Sequence, residues 1–128
     1  MDDLLPEGLF YESHSWVKLE GNIATVGIDK PYADSSKEFA FIELPKKGVI
    51  SKGDKYVSLE SVKGSGHMDS PLSGKIIEVN EPLFDNPSMI NKKPYEAWIM
   101  KVEVNPEQVK QLQTAEKARK NLVCQVKL

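Results

Sequence analysis

The stretch Leu59-Glu60-Ser61-Val62-Lys63-Gly64-Ser65-Gly66-His67-Met68-Asp69-Ser70-Pro71 constrains the chain most, because it ends a strand-like run on a lysine and follows it with two glycines in three residues. Tyr56, Val57, Leu59 and Val62 are apolar or aromatic and predict a short, half-buried strand, whereas Gly64 and Gly66 permit the backbone to reverse. Lys63 is therefore expected on a turn, with Lys75 to Val79 as the strand that follows Ser70-Pro71-Leu72-Ser73-Gly74. A lysine on a turn is ordinarily just solvated, since turns are exposed and lysine is seldom buried. The residues by themselves leave that reading open.

The 128 residues suit one domain, spanning 1–128, which can bury roughly two-thirds of its unfolded surface. Seventeen Lys and Arg against nineteen Asp and Glu give a formal net charge of −2, so there is no basic bias towards nucleic acid or an anionic membrane. A single cysteine, Cys124, excludes an internal disulfide framework and suits a reducing compartment. With only two histidines, far apart, no metal site is expected. The short acidic N-terminus is unlike a secretory signal, and no apolar run approaches the length of a membrane span. The expectation is a cytoplasmic monomer with no membrane or nucleic-acid partner.

In chain order, residues 1–8 read as a loose lead-in, Leu9 to Tyr11 as an edge strand, and His14 to Leu19 as an alternating strand. Glu20-Gly21-Asn22 is a turn signal before a strand over Ile23 to Ile28. Asp29 can cap a short helix with Pro31 in its first turn. Strand pattern returns over Ala40 to Leu44 and briefly over Val49 to Lys52, and Asn86-Pro87 opens a one-turn helix ending near Asn91. After a strand over Trp98 to Val104, Asn105-Pro106-Glu107 starts a C-terminal helix over 105–123, with Val109, Leu112, Ala115, Ala118 and Leu122 as one apolar stripe. The glycine-led segments Gly21 to Val26 and Gly74 to Val79 resemble one another, a sign of an internal repeat. Periodicity alone defines a mainly antiparallel, short-stranded domain.

Several ordered words go further. Glu60-Ser61-Val62-Lys63, six intervening residues, Ser70-Pro71 and Ser73-Gly74 resemble the lipoyl-lysine hairpin of the glycine cleavage system H-protein family. His14-x-Trp16, Gly27-Ile28, Ile42-Glu43-Leu44-Pro45, Val79-Asn80, Pro87, Ile90-Asn91, Pro94-Tyr95 and Trp98 with Lys101 recur in the family's order, so the likeness covers about residues 10–103. The resemblance implies a mainly β, flattened barrel-sandwich hybrid of the lipoyl/biotinyl-carrier type, with short helices and a C-terminal helix. It also implies a non-catalytic carrier, with lipoic acid covalently attached to Lys63 as N6-lipoyllysine by a lipoyl ligase or transferase. Glu60, Gly64 and Gly66 become contacts for that modifying enzyme, or plain turn and surface residues. A biotin carrier is disfavoured, because the usual methionine neighbours are Val62 and Gly64 here.

The modification is physically necessary for redox work. A bare lysine amine titrates near about 10.4 and is protonated at neutral pH, with no redox chemistry of its own. An amide-linked arm removes the charge and adds a dithiolane. In ordinary members, the resemblance implies, glycine decarboxylase loads an aminomethyl group, aminomethyltransferase removes it and dihydrolipoyl dehydrogenase reoxidises the arm. Acidic groups in a surface cleft hold the loaded amine.

The sequence departs from the family at those acids. Ser15 stands between His14 and Trp16 where an acid is usual, and His67 replaces a second acid four residues beyond the lysine, whereas Ser13 is retained. A usual leucine-glycine is replaced within Ser36-Lys37-Glu38-Phe39, and Ala97 stands in place of a glycine before Trp98. These departures favour a lipoate-binding carrier that serves a heterodisulfide-reductase-like complex and sulfur-transfer proteins in bacterial sulfur oxidation. The alternatives are the glycine cleavage H-protein itself and a non-lipoylated binding or structural module. His67 is weighed as an aid to thiol deprotonation against a plain loop histidine, and Cys124 as a mixed-disulfide partner against an inert tail residue.

Overall fold

The described residues form ten short strands, some alternating between buried and exposed side chains and others, such as Ile23–Ile28, buried almost throughout. A computed structural model describes residues 5–126, with side chains described for residues 5–120. The strands are β1 (Phe10–Glu12), β2 (Ser15–Glu20), β3 (Ile23–Ile28), β4 (Phe39–Glu43), β5 (Gly48–Ile50), β6 (Lys55–Ser61), β7 (Gly64–Asp69), β8 (Gly74–Val79), β9 (Met100–Glu103) and β10 (Gln113–Thr114). The helices are α1 (Lys30–Ser35), α2 (Met89–Lys92), α3 (Pro106–Lys110) and α4 (Ala115–Val126), with a 3-10 turn over Glu81–Phe84.

The strands form a seven-stranded sheet in the order β10-β1-β2-β3-β9-β8-β5 and a three-stranded sheet in the order β4-β6-β7. All pairings are antiparallel. The main core lies between the two sheets, with Val17, Val26 and Val102 from the larger meeting Ile42, Val57 and Leu59 from the smaller. This is the mainly β, two-sheet architecture with short helices that the resemblance implied. Two glycines let the larger sheet close up. Trp16 lies opposite Gly27, and a Cβ at residue 27 would sit 2.5 Å from the indole ring. A Cβ at Gly74 would sit 2.3 Å from the backbone oxygen of Glu103 on the neighbouring strand. The two glycine-led segments that resemble each other become β3 and β8, which flank β9 on opposite sides.

The structure corrects several expectations. The hairpin partner of the strand before Lys63 is β7, not Lys75 to Val79, which is β8 and pairs with β5 and β9. The segment Gly64-Ser65-Gly66-His67-Met68-Asp69 hides its strand character because it carries one large apolar residue and no alternation. Gly66 thus lies within a strand and takes no part in the reversal. Val62 is 92% exposed, not half-buried. Strand β1 is not an edge, since β10 pairs with it at Phe10↔Thr114 and Tyr11↔Gln113.

The single helix expected over 105–123 is divided into α3 and α4 by β10. Its apolar stripe serves two clusters. Val109 and Leu112 join the main core, whereas Ala115 and Ala118 pack with Leu5, Tyr11 and Trp16. Asn105 caps α3 as expected, its side chain accepting from the Glu107 amide at 3.0 Å. Of the expected lead-in, residues 1–4 lie outside the described residues; Leu5 is buried, and the Pro6 carbonyl accepts from the Tyr11 hydroxyl at 2.6 Å. The side chains of Leu122 and Cys124 also lie outside the described residues.

Candidate functional site

Lys63 sits in the two-residue connection between β6 and β7, whose closing pair is Ser61↔Gly64. Gly64 has φ +149°, in the region only glycine occupies freely. The Ser61 hydroxyl accepts from the Lys63 amide at 3.2 Å and so stiffens the turn. The lysine side chain is exposed, and its Nζ donates to the Ser35 carbonyl at 3.1 Å. Ser35 ends α1, and the last carbonyls of a helix lack partners within it.

Between α1 and the hairpin is a cleft of about 300 Å³. Tyr32, Phe39 and Leu59 supply its apolar and aromatic lining, and four serines, Ser35, Ser36, Ser61 and Ser65, supply polar groups. Tyr32 and Phe39 stack at 15° with centroids 6.5 Å apart, while the His14 ring is tilted against Tyr32 at 5.7 Å. The Tyr32 hydroxyl lies over Gly66, where a Cβ would come within 2.5 Å of it.

A buried carboxylate sets that arrangement. Asp29 caps α1, with Oδ1 accepting from the Tyr32 amide at 3.0 Å and Oδ2 lying 3.3 Å from His14 Nδ1. The hydrogen bond to Asp29 raises the His14 pKa above its ordinary value, against the opposing effect of burial. Ser13 and His14 both adopt positive φ, at 48° and 68°, in the tight turn that joins β1 to β2.

The other sequence-flagged residues lie elsewhere. Ser15 is fully buried, and its Oγ is 2.7 Å from the Tyr56 hydroxyl, a bond between the two sheets. Burial pushes the Tyr56 phenol well above its usual value. Glu60 is exposed on the strand between Leu59 and Ser61, which line the cleft, and so projects from the opposite face. His67 lies opposite Ser58, with Nε2 3.3 Å from an Asp69 carboxylate oxygen. The cleft therefore gathers Lys63, Gly64 and Gly66 but not Ser13, Ser15, Glu60 or His67.

Sequence reasoning missed Tyr32, Ser35 and Phe39. Asp29 at the start of α1 was the available signal, because a predicted cap also predicts which residues begin the helix beside it. No group of three or more His, Cys, Asp or Glu able to hold a metal occurs among the described residues. No described helix is long and apolar enough to cross a membrane.

These residues fit an amide-linked arm. The amine is exposed, and acylation would leave one N–H on Nζ to keep the bond to Ser35. An exposed lysine at the tip of a β-hairpin, beside an aromatic-walled cleft, is the arrangement expected of a domain that carries a covalent arm. The glycine cleavage H-protein family model matches residues 9–125, and the chain belongs to that family, whose members are non-catalytic carriers of a lipoyl-lysine.

The chain is 41% identical over 110 residues to the glycine cleavage system H protein of one Staphylococcus epidermidis strain, covering 84% of this chain and 87% of the relative. The corresponding protein of a second strain is 40% identical over the same spans. A crystal structure of a glycine cleavage system H protein from Mycobacterium marinum superposes with a TM-score of 0.78 at 29% identity, covering 91% of this chain and 98% of the other.

Proposed function

We propose that this chain is the H-protein component of a glycine cleavage system. In this reading Lys63 is the lipoylated residue, a lipoyl ligase or transferase is the modifying partner, and the arm takes the aminomethyl group between glycine decarboxylase and aminomethyltransferase. Dihydrolipoyl dehydrogenase is the third partner. The observation that carries the reading is the exposed Lys63 amine at the hairpin tip of a chain 41% identical to a glycine cleavage H protein.

When bound, lipoic acid supplies a dithiolane that opens and closes by thiol–disulfide exchange. The chain does the rest by position. The β6–β7 ladder and Ser61 hold the turn, Gly64 supplies the backbone angle that turn requires, and the Ser35 carbonyl accepts from Nζ.

The sulfur-oxidation role expected from Ser15 and His67 has weaker support. Ser15 is used in the core and His67 is exposed on the small sheet, so neither lines the cleft, and neither by itself argues for the sulfur role. The relatives found are glycine cleavage H proteins, which favours the alternative. Incubation with lipoyl ligase, lipoate and ATP should add one lipoyl mass to the wild type and none to Lys63→Arg. Glycine-dependent loading by glycine decarboxylase, with release by aminomethyltransferase, should follow. Lipoylation without any such loading would return the sulfur-oxidation role to first place.

A further inference from the structure

We infer that the exposed aromatic pair Phe41 and Phe84, with the carboxylates around it, is the surface on which glycine decarboxylase docks, through an apolar side chain ringed by Lys or Arg. The inference rests on the proposed function and adds the face by which one of its partners is held.

Phe41 and Phe84 are 49% and 58% exposed, yet their rings meet edge to face with centroids 6.2 Å apart. Aromatic side chains paired in this way keep a fixed shape while still open to a partner, and such residues dominate the centres of protein interfaces. The backbone under them is held. Leu83 is buried in the main core, and the Asp85 and Asn86 amides donate to the Pro82 and Leu83 carbonyls to close the 3-10 turn that carries Phe84. Phe41 lies on β4, an edge strand of the smaller sheet, directly opposite Glu60 on the strand that leads to Lys63. Val62, next to Lys63, is 92% exposed. An enzyme that reaches Lys63 over this edge therefore meets the aromatic pair without displacing another strand.

Charge identifies the partner's surface. Glu60 stands opposite Phe41, and Glu81 and Asp85 flank Phe84; all three are exposed, and none forms an ion pair among the described residues. Neither β4 nor the 3-10 turn contains a Lys or Arg, and Lys63, the cation of the hairpin turn beyond Glu60, loses its charge on acylation. The finished carrier thus presents an apolar centre with an acidic rim. A second copy docking by two-fold symmetry would set these carboxylates against each other, whereas a basic rim is drawn to them. Glycine decarboxylase is the partner that most needs this hold. It must keep the carrier in place while the arm reacts with a second substrate, and it meets the arm uncharged, so the attraction has to come from the protein body. Reoxidation by thiol–disulfide exchange needs only access to the sulfurs, and the aminomethyltransferase meets an arm that brings its own ammonium.

The test is steady-state glycine decarboxylation at varied concentrations of fully lipoylated carrier, confirmed by intact mass. A wild type that is not lipoylated, or supports no turnover, counts against the proposed function and not against this inference. Phe84→Ser should raise the KM for the carrier roughly tenfold, the scale of one interface hot spot, with kcat unchanged. The wild-type KM should rise with ionic strength, and the double variant Glu81→Lys with Asp85→Lys should raise KM at low salt and flatten that rise. Val49→Ser, at an equally exposed apolar residue on β5 of the larger sheet, should leave KM as it is. An unchanged KM in both Phe84→Ser and the charge-reversed protein would overturn the docking surface, and so would a wild-type KM indifferent to salt, whether or not either variant folds. Sedimentation showing a wild-type dimer that Phe84→Ser dissolves would assign the face to a second copy and overturn it as well.

Discussion

At the scale of single residues, buried polar side chains carry loads that their place in the sequence would not suggest. Ser15 and Tyr56 share the one buried side-chain hydrogen bond that joins the two sheets among the described residues, at 2.7 Å. Ser15→Ala should cost about 1–3 kcal/mol, because it leaves a buried phenol unsatisfied. Adding Tyr56→Phe should recover most of that loss, and a double-mutant cycle in urea reads the difference. His14 and Asp29 form a pair of a different kind, with Asp29 also capping α1. The hydrogen bond to Asp29 raises the folded-state pKa of His14 above its unfolded value of about 6.5. The pair's contribution is then fully present below about pH 6.5 and is lost as pH rises through the elevated folded value. Urea midpoints should fall across that window in the wild type. Asp29→Asn should flatten the dependence while still capping the helix, and an imidazole titration of His14 checks the assignment directly.

At the scale of elements, close approach between strands matters as much as apolar content. Strand β8 reaches β9 only because residue 74 has no side chain, with the Glu103 carbonyl 2.3 Å from where a Cβ would stand. Gly74→Ala should therefore destabilise the protein at or above the top of the roughly 1–3 kcal/mol typical of overpacking, measurable as a lowered denaturation midpoint with an unchanged m-value. Its surroundings are rigid. Gln108 on α3 clamps the preceding turn, accepting from the Ser73 amide at 2.9 Å and donating to its carbonyl at 2.6 Å. Helical periodicity in the C-terminal third was legible, but not the break within it. Val109 and Ala115 look alike on a helical wheel, yet they fill separate clusters with a short strand between them. A stripe of side chains carries no mark of which cluster each member will enter.

At the scale of the whole molecule, two sheets hold a common core while the working residue stands outside it. Lys63 is exposed, and its side chain makes one hydrogen bond, to a backbone carbonyl. Lys63→Arg should therefore unfold within about 0.5 kcal/mol of the wild type while losing the modification, which separates carriage from folding in one protein. The turn at Lys63 was readable from the chain itself, because Ser61, Lys63 and Gly64 settle it among neighbours: a serine accepts a backbone amide two residues on, and a glycine takes the angle other residues resist. Strand β7 was not readable, since its glycines and polar residues become a strand only by pairing with β6. The cleft was not readable either. Tyr32 meets Gly66, and Ser35 meets Lys63, only after α1 and the hairpin pack together, and the buried place of Ser15 depends on Tyr56 from the other sheet. The exposed turn that carries Lys63 follows from local backbone chemistry, while the cleft beside it exists only through contacts between segments distant in sequence, which no local pattern encodes.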